Sequence, residues 1–421
     1  MIQGVVKFFR SLREYHASFW TANLSELFER VAFYGMTPLL VLFLTKSRGF
    51  PDSLAIAIGG YFTMFTYGLA GFSGFLADAL GYRRAMLLAY ALLALGYFLA
   101  STLHGNTLIL GSLFLVAFGA SLIKPSITGT VQKTCTEPQR PLGFSIYYTL
   151  VNVGGFIGPN VSGRISDRAH AYEPVFWTSA AAVTLAFLLV LTRFREPARP
   201  AGEARKSLGA FLRDFGRVLG NLRLMALVVL VAGFWSMFYQ FYGAFSLYMT
   251  KNLGTSEGTY GFVVSLDALA VVCLQVLVGY LVRRVAPARA VFAAVLIASA
   301  GVASIGIYPA VAMAAAGVLL FAIGEMVYSA HFYRYLGSIA PPDQIGMYMG
   351  FAFLPIALGG LLAGLIGGPI YAYFTGTLHR PQLMWFAFAA VGVISAFGLL
   401  LMTTLLKGGA GVRPATGSGA A

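Results

Sequence analysis

The sequence predicts an all-α integral membrane protein with twelve transmembrane helices in two pseudo-symmetric six-helix halves. The 421 residues are 58% hydrophobic and only 10% charged, and the mean hydropathy of +0.77 excludes an ordinary soluble globular protein. Apolar stretches of about twenty residues, long enough to cross a bilayer, recur along the whole chain. A charged stretch that contains proline separates the sixth from the seventh, and so divides the chain into halves.

The apolar stretches place the helices near residues 18–45, 54–80, 85–103, 106–134, 142–166, 173–193, 219–250, 257–283, 289–309, 311–339, 344–374 and 381–405. The predicted organisation is an N-terminal bundle at 1–193, a cytoplasmic linker at 194–218, a C-terminal bundle at 219–405 and a disordered cytoplasmic tail at 406–421.

The net charge of +14 comes from Lys and Arg in the loops, mostly on one side of the membrane. The positive-inside rule then predicts cytoplasmic termini in a bacterial-type cytoplasmic (inner) membrane. Because no basic stripe with interleaved aromatics is present, the charge does not indicate nucleic-acid binding. Cys135 and Cys273 lie far apart and predict neither a disulfide nor a metal site.

A repeat relates the two halves. The stretch Gly74-Phe-Leu-Ala-Asp, which ends at Arg84-Ala85, aligns with Gly279-Tyr-Leu-Val-Arg, which ends at Arg289-Ala290. Two six-helix halves joined by a cytoplasmic linker resemble the major facilitator superfamily, in which the substrate site lies at the midplane between the halves. The segment after the second helix resembles the superfamily's loop motif at Gly74, Asp78, Gly81, Arg83 and Arg84.

The stretch Glu26-Leu-Phe-Glu-Arg-Val-Ala-Phe-Tyr-Gly35 places two carboxylates and a guanidinium in the first helix. At roughly 100° per residue, Glu26, Glu29, Arg30, Phe33, Tyr34 and Thr37 share one face. Each charge at bilayer depth costs at least about 2.5–3.5 kcal/mol. The charges must therefore pair or face a wet cavity, which indicates a polar pathway; the alternative is a helix end whose charges reach the interface.

This stretch resembles the ExxER motif of the proton-dependent oligopeptide transporters, the POT or PTR family. Further matches are Tyr67, Lys124-Pro125-Ser126, Gly143 to Tyr148 with Asn152 and Gly158-Pro159, Phe234-Trp235 with Gln240, Gly324-Glu325, and Met349-Gly350 with Leu358-Gly359. The chain departs from the family pattern at Phe33, Thr37, Tyr239, Asp267 and Ala352. Since these positions would touch substrate, they bear on the substrate more than on proton coupling.

The resemblance implies a symporter of short peptides or related small zwitterions, driven by the proton gradient without a cofactor. The residues expected in proton coupling are Glu26, Glu29, Arg30, Lys124, Glu325 and Asp267, with Glu26 as the favoured carrier. Those expected to bind substrate are Arg30, Tyr34, Tyr67, Lys124, Tyr148, Asn152, Trp235, Tyr239, Asp267, Glu325 and Tyr328. His331 falls off the Glu325/Tyr328 face, so a supporting or gating role is expected.

Other interpretations stay open. The charges of the first and fourth helices can form a static brace, and Asp267 can serve another polar residue rather than replace a lost helix-seven glutamate. The substrate can be a drug or metabolite, including one that is exported, or the fold can act as a receptor without flux. A membrane enzyme is disfavoured because no Ser/His/Asp or metal-ligand cluster is present in the sequence. The partners expected are substrate, protons and lipid, and the protein is expected to be monomeric.

Overall fold

A computed structural model describes residues 12, 14–197, 207–340, 348–349 and 351–410. Twelve long helical segments follow one another in the described chain, and we number them α1 to α12. The first half contains α1 (Ala17–Leu42), α2 (Asp52–Gly68, continued after a bend by Ala70–Leu80), α3 (Tyr82–Thr102), α4 (Asn106–Thr134), α5 (Arg140–Ala169) and α6 (Glu173–Arg193). The second contains α7 (Leu222–Gln240, continued by Ala244–Leu247), α8 (Glu257–Val282), α9 (Pro287–Ile305), α10 (Val311–Ile339), α11 (Leu354–Ala372) and α12 (Met384–Ala410). The predicted fold class is confirmed.

Ten of these segments are apolar enough to cross a membrane on composition alone, and the two parts of α2, which meet at 41°, make an eleventh. The remaining one, α5, fails that test because it is rich in Gly, Ser, Asn and Arg. Its 30 residues nevertheless span about 45 Å at 1.5 Å per residue. Helix α5 packs against α1 and α8, so protein rather than lipid covers much of its polar surface.

The predicted linker contains a helix that the sequence interpretation missed, Leu208–Gly220. We call it the linker helix, and the side of the molecule where it lies the linker side. Residues 198–206 of the predicted linker lie outside the described residues. The seventh helix begins at Leu222 rather than at 219, because the linker helix ends at a break around Asn221, whose side chain caps the next helix.

Two boundaries differ at the C-terminal end. The prediction of a disordered tail from residue 406 is wrong for residues 406–410, because α12 continues to Ala410; the rest of the tail lies outside the described residues. The predicted eleventh helix began at 344, whereas α11 begins at Leu354 after a turn at residues 351–353. Residues 344–347 and Gly350 of that prediction are not described.

The loop motif lies at the linker-side junction of α2 and α3. Gly81 makes the turn with a positive φ of 89°, and the Glu196 carboxylate accepts hydrogen bonds from the backbone N–H groups of Tyr82 (2.8 Å) and Arg83 (2.7 Å). Glu196 therefore caps α3. The Tyr82 hydroxyl donates to Asp78 at 3.4 Å.

The other members of the motif are placed as follows. The Arg83 guanidinium donates to the Leu191 carbonyl at 2.8 Å, which ties the start of α3 to the end of α6. Gly74 faces Pro125 of α4, and Arg84 is exposed. The motif thus holds the linker-side ends of α2, α3, α4 and α6 together.

Candidate functional site

The acid and base groups of α1 form a buried cluster. The Arg30 Nε lies 2.5 Å from Glu29 Oε2 and 3.3 Å from Glu26 Oε1, and the three residues are at most 4% exposed. Arg30 satisfies Glu29 directly, whereas both oxygens of Glu26 are buried without a hydrogen-bond partner. One oxygen of Glu29, Oε1, is also buried without a partner, so Glu26 is the less satisfied of the two carboxyl groups.

Close packing between α1 and α5 fixes the position of Arg30. A Cβ atom at Gly154 would fall 2.5 Å from the Arg30 Cβ, so only glycine fits there. The guanidinium lies against the rings of Phe33 and Tyr34, at 5.1 and 5.6 Å from their centroids. These two rings line the central cavity and separate Arg30 from it.

Lys124 on α4 lies beside the cluster and faces the space between the halves. Its ammonium lies 5.8 Å from the Tyr67 ring centroid and 5.1 Å from that of Phe353, and it acts electrostatically on Glu26 and Glu29. Among the described residues Lys124 forms no ion pair. Its charge is thus held by aromatic faces and is available to an anionic ligand.

A central cavity of about 210 Å³ lies between the halves. Its wall includes most of the residues expected to bind substrate, namely Tyr34, Tyr67, Lys124, Tyr148, Asn152, Trp235, Tyr239, Glu325 and Tyr328. Lys124 comes from the first half and Glu325 from the second, so the wall carries a cation on one half and a carboxyl group on the other. The remaining wall is mainly aromatic.

Two residues expected to touch substrate do not lie on this wall. Arg30 is behind Phe33 and Tyr34, and Asp267 on α8 is not among the residues that line the cavity. Glu26 and Glu29 are likewise buried behind the wall. His331 also lies off the wall and is 1% exposed, in the position that its helical phase predicted.

The sequence interpretation missed several wall residues: Thr63, Val151, Phe238, Tyr242, Ser329, Phe332, Tyr333, Phe353 and Ile356. Helical phase was the signal for some of them. Phe238 and Tyr242 follow Trp235 and Tyr239 at the spacing of one α7 face. Ser329 and Phe332 extend the Glu325/Tyr328 face of α10 in the same way.

Four of the departures from the family pattern lie on the wall: Phe33, Thr37, Tyr239 and Ala352. The ring of Tyr239 lies 6.3 Å from that of Tyr67, across the interface between the halves. At this departure from the family pattern, the chain places an aromatic contact between the halves.

The side opposite the linker is closed by two ion pairs between the halves. Lys46 Nζ lies 2.9 Å from Glu257 Oε1, and Lys251 Nζ lies 2.6 Å from Asp52 Oδ1. The Tyr172 hydroxyl also donates to Glu257, at 2.6 Å. Burial and this carboxylate raise the pKa of Tyr172, so the phenol stays protonated as a donor.

The linker side holds an open vestibule of about 560 Å³, whose wall shares Tyr67, Lys124 and Phe353 with the central cavity. The linker helix lies at this vestibule. Phe211 stacks on Phe75 of α2 at 5.6 Å, and Phe215 lies 6.0 Å from Phe351 at the start of α11. The cavity is therefore closed on one side and adjoins open space on the other, as expected for one state of an alternating-access protein.

The family model of the Major Facilitator Superfamily matches residues 23–250 and 239–419. The "Peptide transporter YePEPT" of Yersinia enterocolitica is 27% identical, over 83% of this chain and 87% of that protein. The "Multidrug resistance protein MdtH" of Photorhabdus laumondii is 24% identical, over 93% of this chain and 94% of that protein. A crystal structure of a POT family transporter in complex with 5-aminolevulinic acid superposes with a TM-score of 0.74 at 16% identity, over 92% of this chain and 96% of that one. The expected resemblance is confirmed.

Proposed function

The chain belongs to the major facilitator superfamily, and from that premise we propose that it is a proton-coupled symporter of short peptides or related small zwitterions. The observation that carries this proposal is the polarity of the central cavity. Lys124 on one half can hold a carboxylate while Glu325 on the other holds an ammonium group, and the aromatic wall between them suits small apolar side chains. A zwitterion would thus bridge the halves, as alternating access requires.

The size of the cavity supports a small substrate. Its volume of about 210 Å³ is below the roughly 300–1,000 Å³ that is typical of pockets for drug-sized ligands. Relatives named as peptide transporters add support. We propose uptake into the cytoplasm as the direction, with the linker side facing the cytoplasm of a bacterial-type inner membrane, and a monomer without a cofactor or enzymatic activity.

Coupling requires a group that gains and loses a proton beside a cation. Glu26 is the candidate, because its oxygens have no hydrogen-bond partner while Arg30 lies 3.3 Å away. Protonation of Glu26 would leave the charge of Lys124 or Arg30 less compensated, and so strengthen the attraction of Lys124 for a substrate carboxylate. The inside-negative potential contributes roughly 2.3 kcal/mol per charge per 100 mV to proton uptake.

The experiment uses purified protein in liposomes with an inward proton gradient and a negative-inside potential. We expect labelled di-alanine to accumulate, and an uncoupler to abolish the accumulation. The Lys124→Gln variant, which keeps a polar side chain of similar length, should lose uptake. Absence of di-alanine uptake by folded wild-type protein would overturn the peptide proposal.

A second candidate is proton-coupled transport of a non-peptide substrate, including export of a drug or metabolite. Two observations favour it: the similarity to MdtH covers nearly the whole chain, and Thr37, Tyr239 and Ala352 change the wall itself. In the same liposomes, hydrophobic amines that inhibit or replace di-alanine, or that are moved outward against a gradient, would favour this candidate.

A further inference from the structure

Helices α2 and α11, one from each half, pack closely from the closed end of the molecule toward its middle. A Cβ atom at Gly368 of α11 would fall 2.5 Å from the Ser53 carbonyl oxygen, and one at Gly60 of α2 would fall 2.5 Å from the backbone of α11. Small residues thus let the two backbones touch. Farther along, a Cβ atom at Gly68 would meet the Ala357 side chain at an ordinary 3.7 Å. The two helices therefore form a tight seam that loosens near Gly68.

Beyond this seam, aromatic rings lie between the two helices. The second part of α2, Ala70–Leu80, is bent by 41° from the first, and α11 begins only at Leu354. The nearest atoms to a Cβ atom at Gly71 would belong to the rings of Phe351 and Phe211, at 3.9 and 4.0 Å. A side chain of the linker helix therefore lies between α2 and the start of α11.

The linker helix contacts both halves through two rings that lie one turn apart. Phe211 lies 5.6 Å from Phe75 and 6.3 Å from Phe72 of α2, in the first half. Phe215 lies 6.0 Å from Phe351, in the second half. The two rings also stack on each other, at 6.2 Å with 17° between their planes. A continuous row of rings thus runs from one half to the other along the wall of the vestibule.

The linker helix is joined directly to the second half. Asn221 alone separates it from α7, and the Asn221 side chain accepts a hydrogen bond from the Leu224 backbone at 3.0 Å. Val218, in the last turn of the linker helix, is fully buried. Because the two helices meet at this single residue, the rings move with the second half. Rocking of the halves must therefore change the contact between Phe211 and α2.

Closure of the linker side brings the linker-side ends of the two halves together. The row of rings occupies the space between α2 and the start of α11, into which these ends would move. Since packed side chains resist compression, the rings must be displaced before the ends can meet. Displacement would also break the ring–ring contacts, which stabilise the open arrangement beyond the burial of the rings alone.

We propose that the linker helix is a wedge: the Phe211 and Phe215 rings hold the linker-side ends of α2 and α11 apart, and so favour the state that is open on the linker side. The seam around Gly60 is the pivot about which these two helices separate. This proposal goes beyond the proposed function, because it concerns the balance between open and closed states and does not depend on the substrate.

The wedge is tested without substrate, on purified full-length protein in liposomes and in a cysteine-free background. Spin labels at Arg84 and Arg284, which are exposed at the linker-side ends of the two halves, report the width of the linker side. Labels at Leu54 and Ile307 report the opposite side. The distance distributions of both label pairs are compared between wild-type protein and the ring variants.

Phe211→Ala should raise the population that is closed on the linker side about fivefold or more, and the opposite side should open to the same extent. Phe211→Leu, which is intermediate in size, should give an intermediate shift. Leu219→Ala is the matched control, because Leu219 lies on the same helix, is exposed and does not line the vestibule. It should leave both distance distributions as in wild type.

A double-mutant cycle on Phe215 and Phe351 tests the other side of the wedge. Each alanine substitution breaks the same ring contact, so the double variant should shift the balance no further than the larger single effect. This cycle also decides the proposal if Phe211→Ala does not fold. Unchanged distances in the ring variants, a wider linker side, or an equal shift in Leu219→Ala would each overturn the wedge. If di-alanine uptake fails, the proposed substrate is wrong while the distances still decide the wedge.

Discussion

Lys46 and Lys251 occupy corresponding positions in the two halves, and each pairs with the acid that begins the second helix of the other half, Glu257 or Asp52. The offset that relates them is the one that relates Gly74 to Gly279. At the midplane this correspondence is lost. The first half holds two acids with two bases, whereas the two acids of the second half, Asp267 and Glu325, form no ion pair among the described residues.

This difference separates two tasks. The side opposite the linker is closed symmetrically, because each half contributes one cation and one anion to the same interface. Binding and coupling need the halves to differ, since a zwitterion has unlike ends and a proton needs one preferred site. The two halves therefore carry matching charged residues at the closed end, where they contact each other, and different charged residues at the midplane, where a substrate would bind.

The largest effect is expected from Arg30→Ala, which removes the positive charge that pairs with Glu26 and Glu29 in the first half. Two buried carboxylates would lose their cation, a change that typically costs about 3–5 kcal/mol. Uptake should be abolished, and thermal unfolding in detergent should shift to lower temperature. Arg30→Lys, which keeps the charge but not the guanidinium geometry, is the control and should retain part of both. If Arg30→Ala unfolded at the wild-type temperature, the two carboxylates would not depend on Arg30 for their stability in the folded protein.

A smaller and more selective effect is expected from Glu26→Gln, which mimics the protonated acid. Proton-driven accumulation should be lost, whereas exchange of labelled for unlabelled substrate, which needs no net proton movement, should continue. Glu29→Gln tests the neighbour that Arg30 already satisfies and should instead lower stability. Accumulation in Glu26→Gln with an unchanged pH dependence would remove Glu26 from the coupling role.

The smallest effects are expected at the symmetric end. Lys46→Gln and Lys251→Gln each remove a partly exposed ion pair worth about 0–1 kcal/mol. Each should shift the balance between open and closed states by no more than about fivefold. Spin labels on Leu54 and Ile307, which are 47% and 67% exposed, would report the opening in a cysteine-free background.

The exchanged pair Lys46→Glu with Glu257→Lys provides the control for this end, since it restores an opposite-charge contact and should return the distance distribution toward wild type. Failure of the exchange to rescue Lys46→Glu would mean that the hydrogen bond from Tyr172 to Glu257, which the exchange also removes, is needed to close this end.

The sequence alone predicts the number of spans, the division into halves and most of the cavity wall. Apolar length and helical phase are local properties, so Glu26 to Thr37 predicted a face and Trp235 to Tyr239 predicted another. Hydropathy is least informative for α5, which the sequence predicts at 142–166. The helix is too polar to pass a test of apolar composition, and its contacts with α1 and α8 place it in the bundle.

Which polar groups contact each other depends on the tertiary structure. Glu196 caps α3 from more than a hundred residues away, the ion pairs of the closed end join opposite halves, and Asp267 lies off the cavity wall. The sequence interpretation missed the linker helix because charged residues surround Phe211 and Phe215. The purpose of these two phenylalanines becomes clear only from the rings that they contact on α2 and beside α11. A buried polar group must find a partner, but nothing local in the sequence states which partner, because that choice depends on how whole helices pack.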